Sequence, residues 1–189
     1  GAMPTVTVAA FDFDGTLTRR DTLLPYLLRS LGWARFLRAL LWSAPWLVAY
    51  ALRLTSNHKA KARLLQMSLE GCSVDQVELW SKNFVVDYLP TQWRADVRAL
   101  LLGHKQAGHR CVIVSASTGL YMHHVGRLLG VQAVMCTELE VVSGRYTGRL
   151  RSPNCYGEEK VRRLQGWMAE QGVKRENVQL NTYGDSTGD

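Results

Sequence analysis

The sequence predicts an α/β fold: a Rossmann-like parallel sheet core with a long, mostly helical segment after the first strand. Short apolar runs at residues 6–11, 111–115, 133–136 and 178–183 are separated by helical patterns, the order expected of a parallel sheet. A long, mostly helical stretch at 21–108 divides the first run from the second. The first run ends in Asp12-Phe13-Asp14-Gly15-Thr16, and the loop at the carboxyl end of a central parallel strand is where such folds bind ligands.

Each element has a local cause. After the opening strand, Asp21 or Thr22 caps a helix with Pro25 in its first turn. Residues 31–54 are unusually apolar, Trp-rich and basic at their edges. The uncharged run 39–52 is shorter than the roughly 20 residues a spanning helix needs, and Pro45 interrupts it. Two readings follow for this stretch. One is a buried helical pair. The other is an interfacial or re-entrant element, with Trp33, Trp42, Trp46 and Tyr50 at headgroup depth and Arg35, Arg38 and Arg53 facing lipid phosphate. Residues 56–87 read as two helices divided at 70–73, with Ser73 as N-cap, and a further helix runs from about 91 to 107 before Gly108 stops it. A strand at 111–115 is followed by a helix through Leu129 and a short strand at 133–136. A hairpin then turns at Ser143-Gly144, a helix covers 158–171, and a last strand covers 178–183.

Bulk properties narrow the function. A formal net charge of +7 is spread along the chain without the dense block of a nucleic-acid arm, so the expected partners are anionic substrates or anionic lipid, and no nucleic acid. Cys72, Cys111, Cys136 and Cys155 are widely spaced with no pair at metal-ligand spacing, which predicts reduced thiols and a cytoplasmic setting. The five histidines show no metal-ligand pattern on the strands, and surface or partly packed roles are expected for all of them. Gly1-Ala2-Met3 reads as the remnant of a cleaved tag, and further residues are expected after Asp189, because a domain rarely ends on such a loop.

The chemistry gathers at the strand ends. Asp12 and Asp14 follow the first strand, Ser115 and Ser117 the second, Asp185 and Asp189 the last, and Lys160 lies in the first turn of a helix. Two carboxylates so close are costly unless a cation or a shared proton compensates them; the plain alternative is a turn with two solvated aspartates. Taken together, carboxylates, a hydroxyl at a helix start and a lysine suit metal-assisted phosphoryl transfer. The carboxylates would hold Mg²⁺, the helix start would meet phosphate oxygens, and the lysine would supply a point charge.

In this arrangement the four motifs, 12–16, 112–115, Lys160 and 184–189, resemble in order those of the haloacid dehalogenase-like (HAD) superfamily. The chain also resembles its phosphoserine-phosphatase-like branch (subfamily IB), whose hairpin the segment 138–148 resembles. The resemblance implies a catalytic core of 4–18 and 109–189 and a helical cap of 19–108. It implies Asp12 as nucleophile and Asp14 as general acid and base, with a carboxyl pKa raised by a neighbouring carboxylate. It also implies Ser115, Ala116 and Lys160 as phosphate ligands, Asp21 as a cap-side substrate residue, and Asp12, Asp14, Asp185 and Asp189 around Mg²⁺.

The substrate is set by the cap. Asp21 stands where serine-specific members of the branch carry a Glu, which argues against phosphoserine. A looser pattern resembles the class C phosphatidylglycerophosphate phosphatases of bacterial membranes: Asp21, the apolar run of 40–54, the Gly71-Cys72 step and 157–161. That implies a phospholipid headgroup as substrate and peripheral association with the inner face of a bacterial membrane. A soluble small-metabolite phosphatase, a phosphotransferase and a non-enzymatic binding module are the alternatives.

Overall fold

The computed structural model describes residues 5–184. Four parallel strands form one sheet in the order β3-β2-β1-β6: β1 (Val6–Phe11), β2 (Arg110–Thr118), β3 (Ala133–Thr137) and β6 (Val178–Tyr183). β1 lies inside the sheet, and its last residue, Phe11, pairs with Ile113 on one side and Tyr183 on the other. Its alternation decides which layer each residue enters. Ala9 and Phe11 face a core shared with α5 (Ala95–Gln106), α6 (Gly119–Leu129) and the helices of the insertion, whereas Val8 and Ala10 face Leu164 on α7 (Glu158–Glu170).

Between β1 and β2 run α1 (Leu23–Leu31), α2 (Trp33–Ala51), α3 (Asn57–Leu69), α4 (Val74–Asp87), a single 3-10 turn (Leu89–Thr91) and α5. Ser56 and Ser73 cap α3 and α4, each side chain accepting a 3.2 Å hydrogen bond from the amide three residues on. The hairpin β4 (Leu139–Val142) and β5 (Arg145–Leu150) turns through Ser143 and Gly144, both at positive φ, the primed turn that matches strand twist. It is tied to the α3–α4 junction: Gly71 N donates to Tyr146 O (2.8 Å) and Tyr146 N to Cys72 O (2.9 Å). The Gly71-Cys72 step is therefore where the hairpin meets the helical insertion.

Three expectations are corrected. Residues 33–51 form one helix through Pro45 and not a buried pair: only Phe36, Ala39 and Ser43 of α2 are buried, while Trp33, Leu41 and Trp42 are 67%, 72% and 65% exposed. The helix expected from residue 91 starts at Ala95, because the preceding backbone pairs with the chain leaving β1; Arg19 N donates to Gln92 O (2.9 Å) and Arg94 N to Leu17 O (2.8 Å). β2 continues to Thr118, three residues beyond the apolar run. An irregularity after Val114 lets Thr118 rejoin β3 at Thr137.

No described helix is long and apolar enough to cross a membrane.

Candidate active site

The turn after β1 is wound on one carbonyl. The amides of Thr16, Leu17 and Thr18 all point to Phe13 O at 3.0–3.2 Å, and Gly15 takes a positive φ of 75° that a side chain would resist. Phe13 is fully buried, and the period-2 alternation sends Asp12 and Asp14 together to the opposite side.

Both reach one cavity of about 800 Å³, which Asp21, Ser115, Ala116 and Lys160 also line. Six residues singled out in the sequence therefore share one wall system. Asp185 and Asp189 lie outside the described residues. Asp12 Oδ2 accepts a hydrogen bond from the buried Lys160 Nζ (2.8 Å), and its Oδ1 accepts from Phe13 N (2.6 Å). Asp14 is held from two sides. Its Oδ1 accepts from Thr22 N (2.9 Å) and Thr22 Oγ1 (2.6 Å), and its Oδ2 accepts from Ser117 Oγ. Thr22 Oγ1 in turn meets Tyr121 OH at 2.7 Å, and Ser115 Oγ donates to Ser117 Oγ at 2.9 Å.

The Asp14 carboxyl is pushed up to about 6 from an ordinary 3.8, first by its burial and then by the charge of Asp21, although three hydrogen bonds oppose the rise. The main cause of the rise is desolvation, ahead of the charge of Asp21. The N-cap position of α1 is Thr22, and Asp21 stands one residue before it, its Oδ1 accepting from Leu23 N (2.9 Å). Ser115 does not sit at a helix start as expected: α6 begins at Gly119, and Ser115–Ser117 occupy the irregular end of β2.

The sequence did not single out several groups in this cavity. Lys61 on α3 donates to Ala116 O (2.5 Å), and burial lowers its pKa despite the opposing charges of Asp14 and Asp21. His58, one turn earlier, faces Asn154 through Nδ1 (2.7 Å) and packs its ring 4.9 Å from Tyr156. Tyr121 is fully buried. No local signal marks these residues, because they reach the site only through the packing of α3 and α6. Elsewhere, the exposed His123 meets Glu138 and Cys136, with His123 Nε2 and Cys136 Sγ at 2.6 Å and 3.1 Å from Glu138 Oε1, and the surface or partly packed roles expected of the histidines hold for His58 and His123.

The model for haloacid dehalogenase-like hydrolases matches residues 9–189. The chain belongs to this family. Among the relatives of this HAD hydrolase is Protein CicA of Caulobacter vibrioides, 34% identical over 184 residues, which are 96% of this chain and 79% of CicA. A protein of unknown function from Bordetella pertussis Tohama I superposes with a TM-score of 0.79 at 26% identity, over 98% of this chain and 84% of that one. The fold is also that of phosphoserine phosphatases: a structure described as a phospho-aspartyl intermediate analogue of that enzyme gives a TM-score of 0.63 at 16% identity, over 98% of this chain and 80% of the other.

Proposed function

We propose that this HAD hydrolase cleaves phosphomonoesters by way of an aspartyl-phosphate on Asp12. The observation that carries the reading is the pairing of two aspartates in one cavity with opposite environments. Asp12 Oδ2 is paired with the Lys160 ammonium at 2.8 Å, and Asp14 has a carboxyl pKa raised to about 6. Such a split assigns roles. Asp12 Oδ forms a bond to phosphorus as the bond to the leaving oxygen breaks, and Asp14 gives that oxygen its proton. Water then attacks phosphorus, Asp14 takes the water's proton, and the Asp12–phosphorus bond breaks to release phosphate. Lys160, Ser115 and the main chain at Ala116 would hold the phosphoryl oxygens.

The donor set at the end of β1 fits a hard cation, since the Asp12 carboxylate and the Asp14 main-chain carbonyl are oxygen ligands of the kind Mg²⁺ takes. Asp185 and Asp189 would complete that set. When bound, the cation would neutralise charge on the phosphoryl group. The division into a core of 4–18 and 109–189 with a cap of 19–108 belongs to the same reading. Asp12→Asn should abolish turnover of a generic phosphomonoester while circular dichroism shows an intact fold; substantial residual turnover would overturn the assignment.

A second part of the reading concerns where the substrate comes from, and α2 supports a membrane surface. Its Trp33, Leu37, Leu41 and Trp42 are exposed apolar side chains, and Leu47 and Tyr50 of the same helix line the active cavity. Arg38, next to Leu37, is exposed, as is Arg53 just past the helix, whereas Arg35 stacks over Trp80 (5.8 Å) and Trp46 lies under Arg63 (4.2 Å), within the protein. An aromatic, basic helix leading to a phosphate site suits a phosphorylated lipid headgroup such as that of phosphatidylglycerophosphate. Flotation with anionic vesicles should carry the protein upward, and a Trp33→Ser/Leu41→Ser/Trp42→Ser variant should stay behind. Absence of flotation, with no release of phosphate from the lipid, would leave a soluble phosphomonoester as substrate.

A further inference from the structure

We propose that Lys61 forms a second anion-binding subsite in the active cavity, and that the substrate's leaving alcohol carries a second anionic group. The inference rests on the reading of Asp12 as the group that takes the phosphoryl moiety, and it specifies the substrate class for that site.

The phosphoryl end of the cavity already has its cation, Lys160 against Asp12. Lys61 enters from the other side, on α3. Its Nζ donates to the carbonyl of Ala116, and the carboxylates acting on it most strongly are Asp14 and then Asp21, ahead of Asp12, so the ammonium lies nearer the proton-transfer carboxyl than the nucleophile. An ammonium has three donors. The carbonyl takes one, and no carboxylate stands within ion-pair distance of Lys61 among the described residues. Its positive charge is thus partly desolvated and offset only at longer range, chiefly by Asp14 and then Asp21. A cation left in this state is stabilised by an anion that enters with the substrate.

The surroundings sharpen the choice. His58 lies one turn before Lys61, and Asn154 Nδ2 donates to its Nδ1, which leaves Nε2–H as a donor. Burial and the Lys61 charge both keep His58 neutral. Arg20 lines the same cavity, while Leu23, Leu24 and Leu47 provide its apolar wall. A phosphomonoester of a neutral alcohol would leave this polar corner unfilled. A carboxylate, or a phosphodiester a few bonds from the leaving oxygen, would fill it.

The test separates binding from turnover by using the Asp12→Asn protein, titrated by calorimetry with 3-phosphoglycerate, glycerophosphoglycerophosphate and glycerol 3-phosphate. The first two carry a second anion as carboxylate or phosphodiester, and the third carries none. At least one of the two dianionic-type ligands should bind tenfold or more tighter than glycerol 3-phosphate, and which one does so distinguishes a soluble acid from a lipid headgroup as the source. Adding Lys61→Met should bring that ratio to within twofold of one, and Lys61→Arg should keep most of it; Lys61→Gln serves if the Met variant does not fold. No preference in the Asp12→Asn protein, or a preference that survives loss of the ammonium, would overturn the proposal. Failure of the aspartyl-phosphate reading would show instead as turnover retained after Asp12→Asn, whatever the binding ratios.

Discussion

Replacing Asp14 by Asn should stabilise the metal-free protein at neutral pH while removing its capacity to move a proton. The native carboxyl has its pKa near 6, against 3.8 as its ordinary value, because burial and then Asp21 disfavour the charged form. The sign follows directly. Below the ordinary value both folded and unfolded chains are protonated and nothing is lost. As pH rises through the interval, the unfolded chain ionises first, so the folded state is penalised increasingly until about pH 6, after which the penalty is constant. At about 1.36 kcal/mol per pH unit, that interval corresponds to about 3 kcal/mol. Asn keeps the shape: its Oδ1 can accept from Thr22 N and Thr22 Oγ1, and its amide can donate to Ser117 Oγ. The assay is urea unfolding of both proteins in chelator at pH 4 and pH 8. The variant's stability relative to the parent should improve by about 2–3 kcal/mol between the two. Taking the difference between pH values cancels pH-independent packing effects. An equal or falling relative stability at pH 8 would refute the desolvated-acid account of Asp14.

Three other outcomes are expected. Gly148→Ala should destabilise by about 1–3 kcal/mol in thermal or urea unfolding, since residue 148 has φ +86° and a Cβ there would lie 2.8 Å from the Gln66 backbone, prising β5 from α3. Ser81→Ala should cost about 1–3 kcal/mol by leaving the fully buried Tyr26 hydroxyl without its 2.9 Å partner, and Tyr26→Phe in the same background should recover part of the loss. A divalent-metal chelator should silence phosphomonoester turnover and added Mg²⁺ should restore it; rates unaffected by chelator would remove the cation from the site.

How much of this was legible in the sequence depends on how local each cause is. The strands and the Asp12–Thr16 loop could be read because a buried parallel strand is a continuous apolar run and its end needs a turn. The hairpin was marked by Ser143-Gly144, where backbone conformation and residue type coincide. α2 was ambiguous for a physical reason: an apolar run has the same composition whether its face meets a core or is left uncovered. β2 and α5 differ in extent because their ends are fixed by partners distant in sequence, Thr137 for the first and Leu17 with Arg19 for the second.

Short-range pattern along the chain is enough to give the parallel α/β core, the family motifs and the two aspartates on one side of the turn. Long-range packing is what makes Thr22 and Ser117 clasp Asp14, raises its pKa first by burial and then by the charge of Asp21, and brings Lys61 and His58 to the cavity. Those relations join residues on separate elements through packing, and the desolvation that sets their chemistry arises only when the helical insertion is seated beside the sheet.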